Sequence, residues 1–107
     1  MATYYPLYAY GDIFNVRPVR SFYTDNNTLA IILLENTGAE FAVITVNLED
    51  SDFMTDKTCA FVDTNNCPWA EKFLQDTKLG SPKNVWANSG YCTYPLYAFD
   101  IAQIPEI

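Results

Sequence analysis

Residues 28–48 read "TLAIILLENTGAEFAVITVNL", and this stretch decides the fold class. Thr28 to Glu35 is apolar at nearly every position, as expected of a central strand covered on both faces. Asn36, Thr37 and Gly38 are turn residues, with Gly38 free to take a positive φ. Glu40 to Leu48 then runs back through β-branched residues. The pattern predicts an antiparallel hairpin with its first strand deep in a sheet.

Strand grammar extends toward the N-terminus. "IFNVRPVRSFY" (Ile13–Tyr23) alternates in part, with Phe14, Val16 and Pro18 on one face and Asn15, Arg17 and Val19 on the other. Pro18 cannot donate a ladder hydrogen bond, which predicts an edge strand or a bulge. Asp25 to Asn27 form a turn on composition. Ahead of these, "YPLYAY" (Tyr5–Tyr10) is a further strand, and "YPLYAF" (Tyr94–Phe99) nearly repeats it at the other end. Alternation groups Pro6, Tyr8 and Tyr10, and likewise Pro95, Tyr97 and Phe99. The expectation is two strands of one sheet with their aromatic sets on the same side.

Beyond residue 48, "EDSDFMTDKT" reads as an acidic loop and "CAFVD" as a short apolar segment forming a fifth strand. "TNNCPWAEKFLQDTKLG" reads as one helix over about 66–79. Asn65 or Asn66 is the N-cap, Pro68 sits in the first turn, Trp69, Phe73 and Leu74 form the apolar face, and Gly80 is the stop. "SPKNVWANSGYCT" reads as a polar loop, and residues 102–107 as a frayed tail. The order predicts an α+β fold in a single domain over 1–107: an antiparallel twisted sheet of five to six strands, open or curled into a half-barrel, with one helix packed on a face.

Composition narrows the chemistry. The 107 residues include no histidine, so Ser-His-Asp and Cys-His catalysis and imidazole bases are excluded. Cys59, Cys67 and Cys92 are an odd set without Cys-x-x-Cys spacing, which predicts reduced thiols and no metal site. In the acidic loop, counting from Asp50 puts Thr55 where an EF-hand has glycine and Phe61 where it has glutamate, so no calcium site is expected. No cofactor and no catalytic residue is assigned, and the chain is not expected to be an enzyme. No apolar run is long enough to span a bilayer and no secretory signal opens the chain, which predicts a cytoplasmic protein with no membrane partner.

Thirteen acidic residues against six basic give a net charge of −7. Such a chain repels nucleic acid and is drawn to basic protein surfaces. The candidate partner-binding residues are Glu49, Asp50, Asp52, Asp56 and Asp63, with Trp86 and Tyr91 as exposed aromatic anchors. Asp63 has a second reading, as the capping residue of a strand–turn–helix junction.

"CAFVDTNNCPWAEKFL" (Cys59–Leu74) and "SGYCTYPLYAFD" (Ser89–Asp100) resemble an uncharacterised family of short acidic proteins, known only as a domain of unknown function, from gut-bacterial phage-like and conjugative elements. The resemblance implies a mobile-element accessory protein and brings no activity with it. With the charge, it leads to the expectation of a non-enzymatic protein-binding module. The specific form is an inhibitor of a host nucleic-acid-targeting defence complex, of anti-CRISPR or antirestriction type, that meets a CRISPR effector or restriction enzyme through an acidic surface. Two alternatives come from other classes: a structural or regulatory subunit using exposed aromatics, as monomer or homodimer, and a small-ligand or carbohydrate-binding module.

Overall fold

A computed structural model describes residues 3–24, 27–48 and 57–107. The expected turn at Asp25–Asn27 therefore lies largely outside the described residues, and the acidic loop lies outside them from Glu49 to Asp56. The α+β expectation holds. Among the described residues there are two four-stranded antiparallel sheets, one α-helix and a short 3-10 turn at Ile101–Gln103, and no closed barrel. The first sheet has the order β1 (Tyr5–Ala9), β2 (Asp12–Phe22), β3 (Leu29–Glu35), β4 (Glu40–Val43). The second runs β5 (Thr45–Val46), β6 (Cys59–Val62), β8 (Cys92–Phe99), β7 (Gly80–Ser89), and α1 spans Ala70–Thr77.

The strand expected over Glu40–Leu48 is divided between the sheets, and Ile44 is the pivot. Its N–H donates to the Ile31 carbonyl in the first sheet at 3.0 Å. Its own carbonyl accepts from Asp63 N–H at 2.8 Å beside the second. Thr45 secures the crossing, because its Oγ1 accepts the Ile31 N–H at 3.1 Å and bonds the Tyr23 hydroxyl at 3.2 Å. Buried backbone groups at such a crossing need partners, and here they have them. This is why the chain makes two sheets rather than one sheet of five or six strands.

β2 is an interior strand despite Pro18, so the edge expected from sequence is only local. Pairing with β1 ends at Val16, opposite Tyr5. Even-numbered residues of β2 turn their main-chain groups to that side. The next of them, Arg20, donates its N–H to the Pro105 carbonyl at 2.9 Å and accepts from Ile107 N–H at 3.0 Å. Pro18 falls in the gap between β1 and this C-terminal segment, where a missing N–H costs nothing.

The tail is thus docked, contrary to the fraying expected for residues 102–107. Ile104 is fully buried, and the Arg20 guanidinium donates from Nη1 to the carbonyls of Ile101 (2.9 Å) and Ile104. One apolar side chain and one planar donor fork hold the segment down.

The helix is shorter than the predicted 66–79. Asp63 closes a tight turn over Thr64–Asn66, and the chain enters helical geometry only after Pro68. Lys78 ends it in the left-handed region, φ 60°, leaving Gly80 free to open β7. β7 itself replaces the expected polar loop at 81–93. It is an edge strand exposed along nearly its whole length, so its residues carry no apolar alternation from which to read it. It closes onto β8 through Gly90-Tyr91, with Gly90 at φ 61° as the turn requires.

The core joins both sheets and the helix. Leu7, Val16, Ile31 and Leu33 meet Ala60, Val62, Tyr97 and Phe99 across it, with Phe73 and Leu74 from α1. β3 is buried on both faces, as its composition predicted.

The two hexapeptides do not share a sheet: Tyr5–Ala9 lies in the first and Tyr94–Phe99 in the second. They also bury opposite phases. Leu7 and Ala9 point into the core while Tyr8 is 62% exposed, whereas the matching Tyr97 is 0% exposed. The expectation of one sheet and a common aromatic side is therefore overturned. β1 has water on its Tyr8 face and the core on its Leu7 face. β8 has the helix and the first sheet over its Tyr97 face. A half-period change in what covers the strand exchanges all its side chains.

Candidate functional site

Tyr8 and its cross-strand partner Ile13 stand in solvent on the β1–β2 hairpin, followed by Tyr10 in the turn. The turn Tyr10-Gly11 has φ 54° and 74°, both positive, the geometry of a type I′ turn. Its first position normally takes Asn or Asp, because a bulky side chain pays there for its Cβ. Tyr10 occupies it and is 74% exposed.

Tyr10 leans on the loop that enters α1. Trp69 Nε1 donates to the Tyr10 hydroxyl at 3.2 Å. Behind it the Trp69 ring packs on Phe41, centroids 5.8 Å apart, and Phe41 on Phe14 at 4.8 Å. An aromatic column thus runs from the core edge to the surface and holds Trp69 half-buried. On either side of Trp69 and Tyr8 lies a concavity. One, about 230 Å³, is a groove between β1 and α1, with Tyr5, Pro6 and Tyr8 on one wall and Phe73 at its base. The other, about 710 Å³ and open, is bounded by Tyr10, Asp12, Ile13 and Pro68. At the far end of the groove Lys72 pairs with Asp76 at 2.8 Å. Asp12 Oδ1 accepts the Ile13 N–H at 2.8 Å, and no basic side chain pairs with Asp12 among the described residues.

The residues singled out from sequence are scattered. Glu49, Asp50, Asp52 and Asp56 lie outside the described residues. Asp63 is turned inward rather than toward a partner: its carboxylate accepts from Asn66 N–H at 3.2 Å and Asn66 Nδ2 at 2.9 Å. Its carboxylate closes the turn after β6 and does not cap the helix, whose N-cap position is Trp69 with no side-chain cap bond. Trp86 is exposed on β7 and Tyr91 stands fully in solvent at the tip of the β7–β8 hairpin, on a different element from the Tyr8 face. The signal for the Tyr8 face was the Tyr-Gly pair in a two-residue turn, a combination with a conformational cost and no packing return.

The remaining polar chemistry is spent within the fold. Tyr97 donates its hydroxyl to Glu71 Oε1 at 2.9 Å and accepts from Gln75 Nε2 at 2.8 Å; burial moves its pKa up. Burial, with Asp63 adding, pushes the Cys67 thiol up to about 11, so it is no nucleophile at neutral pH. Among the described residues, no buried side-chain polar atom lacks a hydrogen bond. Among the described residues Cys59, Cys67 and Cys92 form no disulfide. Among the described residues no helix is long and apolar enough to cross a membrane.

Residues 19–107 match the family described as a domain of unknown function, DUF4313. The chain belongs to the DUF4313 family. The match starts inside β2, so Trp69 and Pro68 fall within the DUF4313 span and the hairpin bearing Tyr8, Tyr10 and Ile13 precedes it. No curated protein and no solved structure matches the chain.

Proposed function

We propose that this DUF4313 protein is a non-enzymatic protein-binding module whose contact surface is the aromatic face formed by Tyr8, Tyr10, Ile13 and Trp69. The observation that carries the reading is the exposed Tyr10 held at positive φ against Trp69. Strained, exposed aromatic positions persist where they serve contact rather than stability. Tyrosine and tryptophan supply large contact areas at low entropic cost. The net charge of −7 favours a partner with a basic surface.

The specific form of this proposal is an inhibitor carried by a mobile genetic element and acting in the bacterial cytoplasm. It occupies a basic nucleic-acid channel of a CRISPR effector or restriction enzyme. Its support is the charge together with the family resemblance, and Glu49, Asp50, Asp52 and Asp56 are its acidic contacts. Phage plaquing on a host with active CRISPR or restriction immunity tests it. Expression should raise plaquing efficiency, and the Tyr8→Ala/Tyr10→Asn double variant should remove the rise. Unchanged plaquing, with no salt-sensitive binding to the purified effector complexes, sinks the inhibitor form.

A further inference from the structure

Resting on the aromatic face as the protein-binding surface, we infer that its two concavities accept a proline-rich segment in polyproline II conformation, with an arginine or lysine beside its prolines.

The two hollows adjoin across a ridge made by Tyr8 and Trp69, which border both. A polyproline II segment repeats every three residues, about 9 Å, and presents successive ring pairs to one side. Two adjacent hollows divided by aromatic side chains offer successive seats to such a repeat, and such segments dock where aromatic side chains form grooves. The segment arrives already extended, so it loses little entropy on docking.

The polar groups at the site suit a chain of carbonyls. In the β1–β2 ladder, Tyr5, Leu7 and Ala9 face β2, so Tyr8 turns its N–H and C=O to the free edge. Among the described residues neither makes a hydrogen bond. Tyr8, which lines the same groove, carries a hydroxyl donor as well, whereas the Tyr5 hydroxyl donates to Gln103 Oε1 at 3.4 Å. Polyproline carbonyls are unpaired and accept from such donors.

Pro6 lacks the N–H that an added β-strand would use on this edge, so the free edge of β1 does not offer a regular ladder.

Charge sets the direction. At the groove end Asp76 is matched by Lys72, while Asp12 at the open end has no basic partner among the described residues. A cation on the ligand is complementary to Asp12, so the basic residue binds at the hairpin end.

Selection of random dodecapeptides displayed against the full chain tests the inference. Enriched peptides should carry two prolines three positions apart with a flanking arginine or lysine. A synthetic consensus peptide should lose roughly tenfold or more in affinity with Tyr8→Ala, as for a hot-spot aromatic. It should lose several-fold with Asp12→Lys, and bind more tightly as salt falls. Tyr10→Asn, whose side chain suits the turn, provides a second variant that folds. Enriched peptides without spaced prolines that still depend on Tyr8 overturn the proline inference and leave the face as a protein-binding surface. Peptides indifferent to Tyr8→Ala and Tyr10→Asn overturn both readings. Absence of any enrichment, or glycan binding in its place, overturns the proline inference.

Discussion

The Trp69 indole N–H donates to the Tyr10 hydroxyl at 3.2 Å, tying the tip of the first hairpin to the entry of α1. The bond joins residues 59 positions apart and lies at the surface, where a single hydrogen bond adds little stability. It does fix where two aromatic side chains stand relative to each other, which is what a contact surface needs.

Tyr10→Asn separates those two roles. Asn adopts the left-handed conformation readily and the lost hydrogen bond is solvent-exposed. Chemical denaturation should give a variant as stable as the parent or more stable, by up to about 1 kcal/mol, while partner binding falls. A clear loss of stability would mean that Tyr10 is there for the fold.

The hexapeptides allow a matched comparison, since Tyr8 and Tyr97 occupy the same place in the repeated sequence. Tyr97→Ala opens a cavity in the core and strips Glu71 and Gln75 of a partner, and should cost about 3–5 kcal/mol. Tyr8→Ala, at an exposed position, should stay within about 0.5 kcal/mol of the parent. Equal melting shifts for the two would contradict the opposite burial of the two strands.

Thr45→Val keeps the shape of a buried side chain but removes the acceptor for the Ile31 N–H. A buried donor left without a partner costs about 1–3 kcal/mol. The loss should appear in equilibrium unfolding, and amide exchange should accelerate at Ile31 well before it does at Leu33.

Thiol labelling should proceed in a fixed order. Cys92, half-exposed, reacts first, and Cys59 and Cys67 react only on opening of the core. The Cys67 thiol is raised to about 11 from an ordinary 9.0, so the folded state holds its proton more tightly than the unfolded state. That contribution to stability is complete below about pH 9 and is lost as pH rises toward 11. Cys67→Ala should flatten this alkaline fall, read from melting temperatures across that window.

Much of the chain's local structure was legible in its residues. The apolar run Leu29–Leu34 specified a doubly covered strand, and "CAFVD" a short further strand. The turn residues specified the hairpin at Gly38, and the Trp69, Phe73, Leu74 spacing specified a helix with one buried stripe. The absence of histidine and the excess of carboxylates bounded the chemistry without any structure.

Three matters were decided only in three dimensions. Ile44 breaks one β-branched run into two strands, because its N–H pairs with Ile31 in the first sheet and its C=O with Asp63 beside the second. No residue pattern announces where a chain will change sheets. β7 emerged as a strand only because β8 offers it a ladder; an edge strand in water needs no apolar alternation. Finally, "YPLYAY" and "YPLYAF" carry the same alternation and bury opposite halves of it. Period-two sequence determines which side chains share a face. Whether that face meets the core or solvent depends on what packs above the strand, and this left Tyr8 outside and Tyr97 within.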